Sequence, residues 1–444
     1  MTVTLADWRR LYEICDHRDR LHNDDLDLFV ERPDSVARRI AETLRDGFET
    51  RGKWLVCGSV GAGKSSELIR LYQLLRDDFV VVGVDLERST GKIEQIAPAE
   101  ILFCIGAAAV RTVKERFDHN VEVDLIAELC RAFEGLLETG REINLLEFIE
   151  GVALFGVELL APGAKAVTGA ALRAAKAASG PVRVSVGRTK VGGLTRPIKD
   201  GDPALDRLVA AVDGVLANIR NGVRAPLILV DGLDKITEVP AIRTIFATSH
   251  ALAGPRAPLI YAGPITLMVG TEWNAAENHF SRERLSNLVV APPPPSLGEV
   301  SPATVNAGRA GMRDVVARRC LHVGLELDAV FSPESLELLI SKSGGLLRQL
   351  IMLLRNAARE AGRQRCARVE LDTAAAVCDE LRKDFEITMT RERREELEYI
   401  AEYGEPQGGP ISSELLLWNY AFPYSNGRAW FAPNPLINLS RRGP

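Results

Sequence analysis

The stretch GSVGAGKSS, Gly58 to Ser66, decides the reading of this chain. It follows the apolar run Trp54, Leu55, Val56, Cys57 and precedes ELIRLYQLLRD, whose spacing is helical. Every position satisfies G-x-x-x-x-G-K-[ST], and a buried strand, a glycine loop and a helix start, in that order, are the context that makes the motif a phosphate site. Gly58, Gly61 and Gly63 let the backbone turn its N–H groups inward as an anion nest, and Ser59, Val60, Ala62 and Ser66 complete the loop. The positive end of the following helix dipole faces the same space. Lys64 is expected to reach the β- and γ-phosphates of a nucleotide triphosphate, and Ser65 to hold Mg²⁺.

Further along, APLILVDGLDKI contains a fully apolar strand, Leu227 to Val230, ending in Asp231. Ligands of parallel sheets bind outside the carboxyl ends of the strands, so Asp231 is expected to support the metal. The valine-rich run Phe79 to Val84 predicts a buried parallel strand, and Pro258 to Ala262 and Asn287 to Ala291 predict two more. Helices are expected over Pro33 to Thr50, where Pro33-Asp34 suits a first turn, and over Pro98 to Phe117, Val121 to Thr139, Pro203 to Asn221 and Pro240 to Leu252. Lys64 and Asp231 lie further apart than one βαβ repeat needs, which places an insertion near Arg141 to Gly201. Its Ala- and Gly-rich part, FIEGVALFGVELLAPGAKAVTGAALRAAKAASG, is interrupted by Glu150, Glu158, Pro162, Lys165, Arg173 and Lys176. It lacks the run of about 20 apolar residues that a membrane span needs, so a surface helical hairpin or contact arm is expected.

A chain of 444 residues carries a prior of roughly two to four domains. Hydrophobic residues at 46% and charged residues at 26% are those of a globular protein, and a net charge of −5 gives no global case for nucleic acid. Seven cysteines without a C-x-x-C pair predict free thiols in a reducing cytoplasm. The opening MTVTLADWRR does not have the pattern of a signal peptide.

Beyond the sheet, APPPPS from Ala291 to Ser296 reads as a stiff exit, and Ala303 to Lys383 as helical. Within it, Ser343, Gly344 and Gly345 start a helix with Leu347, Leu350, Ile351 and Leu354 on its buried stripe. Residues from Phe385 to Pro444 predict two helices, Glu392 to Tyr403 and Ile411 to Trp418, and then a type I′ hairpin at Asn426-Gly427. That outline is a winged helix. The expected fold is α/β: a parallel sheet flanked by helices over 1–300, a helical lid over 301–384 and a winged-helix-like unit over 385–444.

Taken together, FVERPDSV, GSVGAGKSS, LILVDGLDK and SGGLLRQL, in this order, resemble the AAA+ and STAND group of P-loop ATPases, including the origin-recognition-like ATPases of bacteria and archaea. The resemblance implies ATP and Mg²⁺ as ligands, with Gly58, Gly63, Lys64 and Ser65 on phosphates and metal and Asp231 supporting the metal. It places Arg32 and its neighbours near the adenine pocket, and Arg348 in the position of the lid arginine that reaches the γ-phosphate. Arg282 and Arg284 in HFSRERLSN, just before the last expected strand, are the candidates for an arginine finger. ATP over GTP rests on the resemblance alone, since no N-K-x-D motif is apparent.

The sequence departs from the group at Gly232, where many AAA+ enzymes place the glutamate that polarises water. DGLDK is nearer to the DGLDE of STAND ATPases, which makes Asp234 the candidate for orienting water, with slow turnover. The strand Leu259 to Gly263 offers no terminal polar residue to sense γ-phosphate unless Thr266 serves. What is implied is an ATP-driven switch that controls its own oligomerisation or a protein effector, in bacterial regulation or phage defence. The alternative is an initiator or transposition helper acting on duplex DNA. Against it stand six arginines, no lysines and eight glutamates from Phe385 to Pro444, too little positive charge to neutralise phosphates.

Overall fold

Apolar runs rich in β-branched residues become the inner strands, because a parallel sheet covered on both faces needs no alternation of polar and apolar positions. In the computed structural model these are β1 Lys53–Cys57, β2 Val80–Asp85, β3 Pro226–Asp231 and β4 Leu259–Gly263, each buried along its whole length. With β5 Ser281–Arg284 they form a parallel sheet in the order β2-β3-β4-β1-β5. The structure describes residues 3–16, 27–49, 51–138, 145–154, 190–198, 201–248, 250–298 and 300–439. The chain divides into two units, one of residues 36–57 and 67–284 and the other of 1–35, 58–66 and 285–444.

The first of these holds the sheet. Helices Pro98–Phe117 and Pro203–Gly222 each begin with proline, whose missing N–H costs nothing in a first turn, and Asp202 caps the second through the Ala204 N–H. Phe103 stacks on Phe133 of helix Val123–Glu134 with centroids 4.3 Å apart. This is the α/β architecture the sequence predicts, with three local corrections. The helix expected from Pro33 starts at Val36, because the Glu67 carboxylate accepts the Ala37 N–H at 2.8 Å and so caps it there. The helix expected over Pro240 to Leu252 is broken into Val239–Ile242, a π-helical Arg243–Thr248 and a 3₁₀ turn at Ala251–Ala253.

The third correction concerns the last strand, which is the polar Ser281–Arg284 and not Asn287 to Ala291. An edge strand is only partly covered and does not need apolar residues. Arg282 and Arg284 therefore lie within the last strand, not before it. Of the insertion, helix Leu145–Gly151 is described and Leu154 bridges Val84 on β2. The rest of the Ala- and Gly-rich part, where a hairpin or contact arm is expected, lies outside the described residues. No helix among the described residues is long and apolar enough to cross a membrane.

In the other unit, helices Leu5–Ile14, Pro302–His322, Pro333–Ser343, Leu347–Gln364 and Leu371–Ile387 enclose a core that includes Trp8, Leu11, Met312, Phe331, Leu350 and Leu354. Leu353 takes the place expected of Ile351 on the buried stripe, and Leu347 and Ile351 are only partly covered. The run Asn287 to Val290 pairs here: the Asn287 N–H donates to the Pro423 carbonyl and the Leu288 N–H to that of Gly345. Its apolar, extended character suits either environment, so pattern alone cannot choose between them.

Gly345, at φ +72°, could carry no side chain, since a Cβ there would stand 1.8 Å from the Leu288 carbonyl oxygen. Helices Arg391–Tyr403 and Gly409–Leu417 then lead into the antiparallel hairpin β6 Ala421–Ser425 and β7 Ala429–Pro433. Its turn is not type I′. Three residues connect Ser425 to Ala429, and Gly427 has positive φ whereas Asn426 does not, while I′ needs it at both central positions.

Candidate phosphate site

The chain leaves β1 at Cys57, and Gly58 to Gly63 turn it into helix Lys64–Leu75. Gly61 and Gly63 take φ of +92° and +105°, which is why glycine stands at both. The Lys64 side chain is buried, and its ammonium donates to the carbonyls of Gly58 at 2.7 Å and Ser59 at 2.8 Å. The lysine thus closes over its own loop.

Arg32 meets the same loop from behind. Its Nη1 donates to the Ala62 carbonyl at 3.0 Å and its Nη2 to that of Ser286, with Asp34 3.4 Å from Nε. The guanidinium is buried and bonded to protein acceptors, so in this structure Arg32 braces the glycine loop. Arg348, in the first turn of helix Leu347–Gln364, approaches from another side: its backbone N–H donates to the Gly61 carbonyl at 3.1 Å. A Cβ on Gly61 would lie 2.3 Å from the Arg348 Cβ. Asn419, which the sequence reading did not single out, donates from Nδ2 to the Val60 carbonyl at 3.2 Å.

In the sheet unit, β3 ends at Asp231, which is buried, and its Oδ1 accepts the Gly232 N–H at 2.8 Å. Because all strands are parallel, β1 and β3 end on the same edge with only β4 between them. Gly232 has φ +107°, with Glu87 N 3.0 Å from where a Cβ would be, so a glutamate could not occupy this position without strain. Asp234 is buried in the 3₁₀ turn Leu233–Lys235 that follows.

Two further groups mark this edge. Asp85 ends β2 directly in register with Asp231, and its Oδ1 accepts the Arg88 N–H at 3.1 Å. The run VVVGVD has the same apolar-then-Asp form as LILVD, and that signal could have identified it. Thr266, just past β4, is buried, and its hydroxyl has no hydrogen-bond partner among the described residues.

The two finger candidates differ. Arg282 stacks over Trp273 at 4.3 Å and donates to the carbonyls of Leu267 and Met268, and burial together with the neighbouring Arg284 lowers its pKa. Arg284 is exposed. All seven cysteines are free thiols, and burial pushes Cys15 up to about 11, away from the reactive thiolate.

No protein-family model and no curated protein sequence matches this chain. Among solved structures, it is similar to the Orc1 protein of Aeropyrum pernix in complex with DNA, at 13% identity and a TM-score of 0.41, over 95% of this chain and 93% of that one. The Drosophila ORC bound to DNA aligns at 12% identity and a TM-score of 0.36, over 96% of this chain and 89% of that one. The Thermotoga maritima RuvB Holliday junction branch migration motor aligns at 14% identity and a TM-score of 0.25, over 49% of this chain and 72% of that one.

Proposed function

We propose that this chain is a P-loop ATPase of the AAA+ type that binds ATP with Mg²⁺ and works as a slow conformational switch. The observation that carries the reading is the buried Lys64 ammonium, bonded to the carbonyls of Gly58 and Ser59 in a glycine loop that opens a helix. A triphosphate offers that ammonium a charged acceptor in place of neutral ones, and hydrogen bonds to charged groups are about twice as strong as neutral ones. The donor set fits the ligands. The Ser65 hydroxyl and, in the sheet unit, the Asp231 carboxylate are each hard oxygens of the kind Mg²⁺ takes, and the Thr266 hydroxyl has no protein partner among the described residues. Bound Mg²⁺ would offset charge on the phosphates, Asp234 would orient water, and Arg348 would report γ-phosphate to the helices around it.

Switching requires a recipient, and we assign that role to a second copy of the chain or a protein effector. Arg284, exposed on the edge strand, is the better trans-acting arginine, since Arg282 is engaged with Trp273 and two carbonyls. Duplex DNA is the weaker reading. In the C-terminal segment Arg391 pairs with Glu395, Arg393 with Glu414 and Arg428 with Glu405, which reduces the positive charge available to phosphates.

Titration of the full chain with a fluorescent ATP analogue and Mg²⁺ tests the reading. Lys64→Ala is expected to weaken binding at least tenfold, and equal affinity would overturn the proposal. Phosphate release by wild type, Asp231→Ala and Asp234→Ala, with and without duplex DNA, separates a hydrolysing switch from a binding scaffold.

A further inference from the structure

Three consecutive carbonyls of the phosphate loop are held from outside. Val60 accepts from Asn419 Nδ2 at 3.2 Å, Gly61 from the Arg348 N–H at 3.1 Å and Ala62 from Arg32 Nη1 at 3.0 Å. In a trans peptide the carbonyl of one residue and the N–H of the next point in opposite directions. Each anchor therefore turns the following N–H, of Gly61, Ala62 and Gly63, away from itself. The Ala62 N–H is used inside the loop on the Ser59 carbonyl at 3.1 Å. Those of Gly61 and Gly63 belong to the nest that an anion requires.

We propose that Asn419 is a positioning residue for the phosphate loop, and that the C-terminal unit thereby sets the affinity for phosphate. This inference rests on the phosphate-binding role proposed above. Asn419 sits at φ +59°, a conformation asparagine tolerates better than most residues, in the turn between helix Gly409–Leu417 and β6. Its own carbonyl accepts from Asn434 Nδ2 at 3.0 Å. Asn434 in turn exchanges two hydrogen bonds of 2.9 Å with Gln349, the neighbour of Arg348. The donors at Val60 and Gly61 are thus joined through one amide relay, from the half-buried Asn419 to the buried Asn434 and Gln349.

The relay is seated on the turn that precedes the lid helix. Tyr424 donates its hydroxyl to the Gly344 carbonyl at 2.7 Å, and Lys342 its ammonium to the Pro435 carbonyl at 2.8 Å. Drawing the C-terminal unit away would release Val60 and disturb Gly61 together. By reciprocity, phosphate in the loop strengthens the docking of that unit.

Calorimetric titration of the full chain with Mg-ATP and with tripolyphosphate, which has no base or sugar, tests the inference. Asn419→Gly preserves access to positive φ and deletes the donor, and Asn419→Asp preserves size but offers only acceptors. Asn419→Gly is expected to weaken both ligands about fivefold, the ratio that one hydrogen bond of about 1 kcal/mol gives, and Asn419→Asp to weaken them further. Tripolyphosphate is expected to slow hydrogen exchange across residues 418–434 in wild type and not in Asn419→Gly, a response that a merely structural residue would leave intact.

Wild type that binds neither ligand overturns the ATPase reading and this inference together. Wild type that binds both, with Asn419→Gly equally tight, overturns the positioning role alone. Weakened binding with an unchanged exchange response overturns the coupling.

Discussion

Replacing Asn434 should destabilise the protein more than replacing its partner Gln349, although both are buried amides in one pair. Asn434 is fully buried and Gln349 nearly so. Asn434 Nδ2 donates to Gln349 Oε1 and to the Asn419 carbonyl, while its Oδ1 accepts from Gln349 Nε2 and from the Leu436 N–H. Asn434→Ala therefore removes the partner of two buried groups, Gln349 Oε1 and the Leu436 N–H, and of the half-buried Asn419 carbonyl. Gln349 Nε2 keeps the Lys342 carbonyl at 2.7 Å. At about 1–3 kcal/mol for each group left unsatisfied, and with losses in one network less than additive, the expected cost is about 3–5 kcal/mol.

Gln349→Leu leaves Asn434 two of its four bonds and fills the volume, for an expected cost of about 1–3 kcal/mol. Guanidinium unfolding, followed by tryptophan fluorescence and circular dichroism, gives both values and, with the double variant, a coupling of about 1–2 kcal/mol. A cost for Asn434→Ala below about 1 kcal/mol, or below that of Gln349→Leu, would refute the reasoning.

Two further predictions rest on other parts of the chain. Gly345→Ala combines a positive φ with a Cβ 1.8 Å from a backbone oxygen, whereas Gly408→Ala, at φ +94° with nothing within 4 Å, is only conformationally strained. The first should lose more than about 3 kcal/mol and the second about 1–2 kcal/mol, read from denaturant midpoints; equal losses would show that the Leu288 contact does not matter. Lys53, buried with its ammonium on the carbonyls of Arg51 and Ala257, is lowered by desolvation to about 8. Between that value and its unfolded value of 10.5 the unfolded chain binds more protons, so stability should rise with pH across this window, by up to about 3 kcal/mol, and the penalty is fully present below pH 8. Lys53→Met should lack this rise, so the stability difference between wild type and variant should change by that amount across the window, and parallel pH profiles would contradict it.

The geometry of the glycine loop was legible because it is local. Gly61 and Gly63 need positive φ, Lys64 and Ser65 start a helix, and the flanking strand and helix announce themselves by their own periodicity. Asp231 was legible for the same reason, as the polar end of an apolar strand, and Asp85 carried an equal signal on β2. The assignment of the last strand was not legible. Ser281–Arg284 looks like a solvated turn until its edge position is known, and Asn287 to Val290 has the composition of a strand but pairs with Gly345 and Pro423.

What the amino-acid order determined by itself is the set of short-range devices: which segments extend, which coil, where a glycine is obligatory, which lysine opens a helix and which carboxylates stand at the ends of strands. What only the tertiary structure decided is how the loop is held. Arg32 reaches Ala62 across 30 positions and Asn419 reaches Val60 across 359. Hydrogen bonds over such separations leave no periodicity in the sequence, since they depend on where packing brings the segments and not on neighbouring residues.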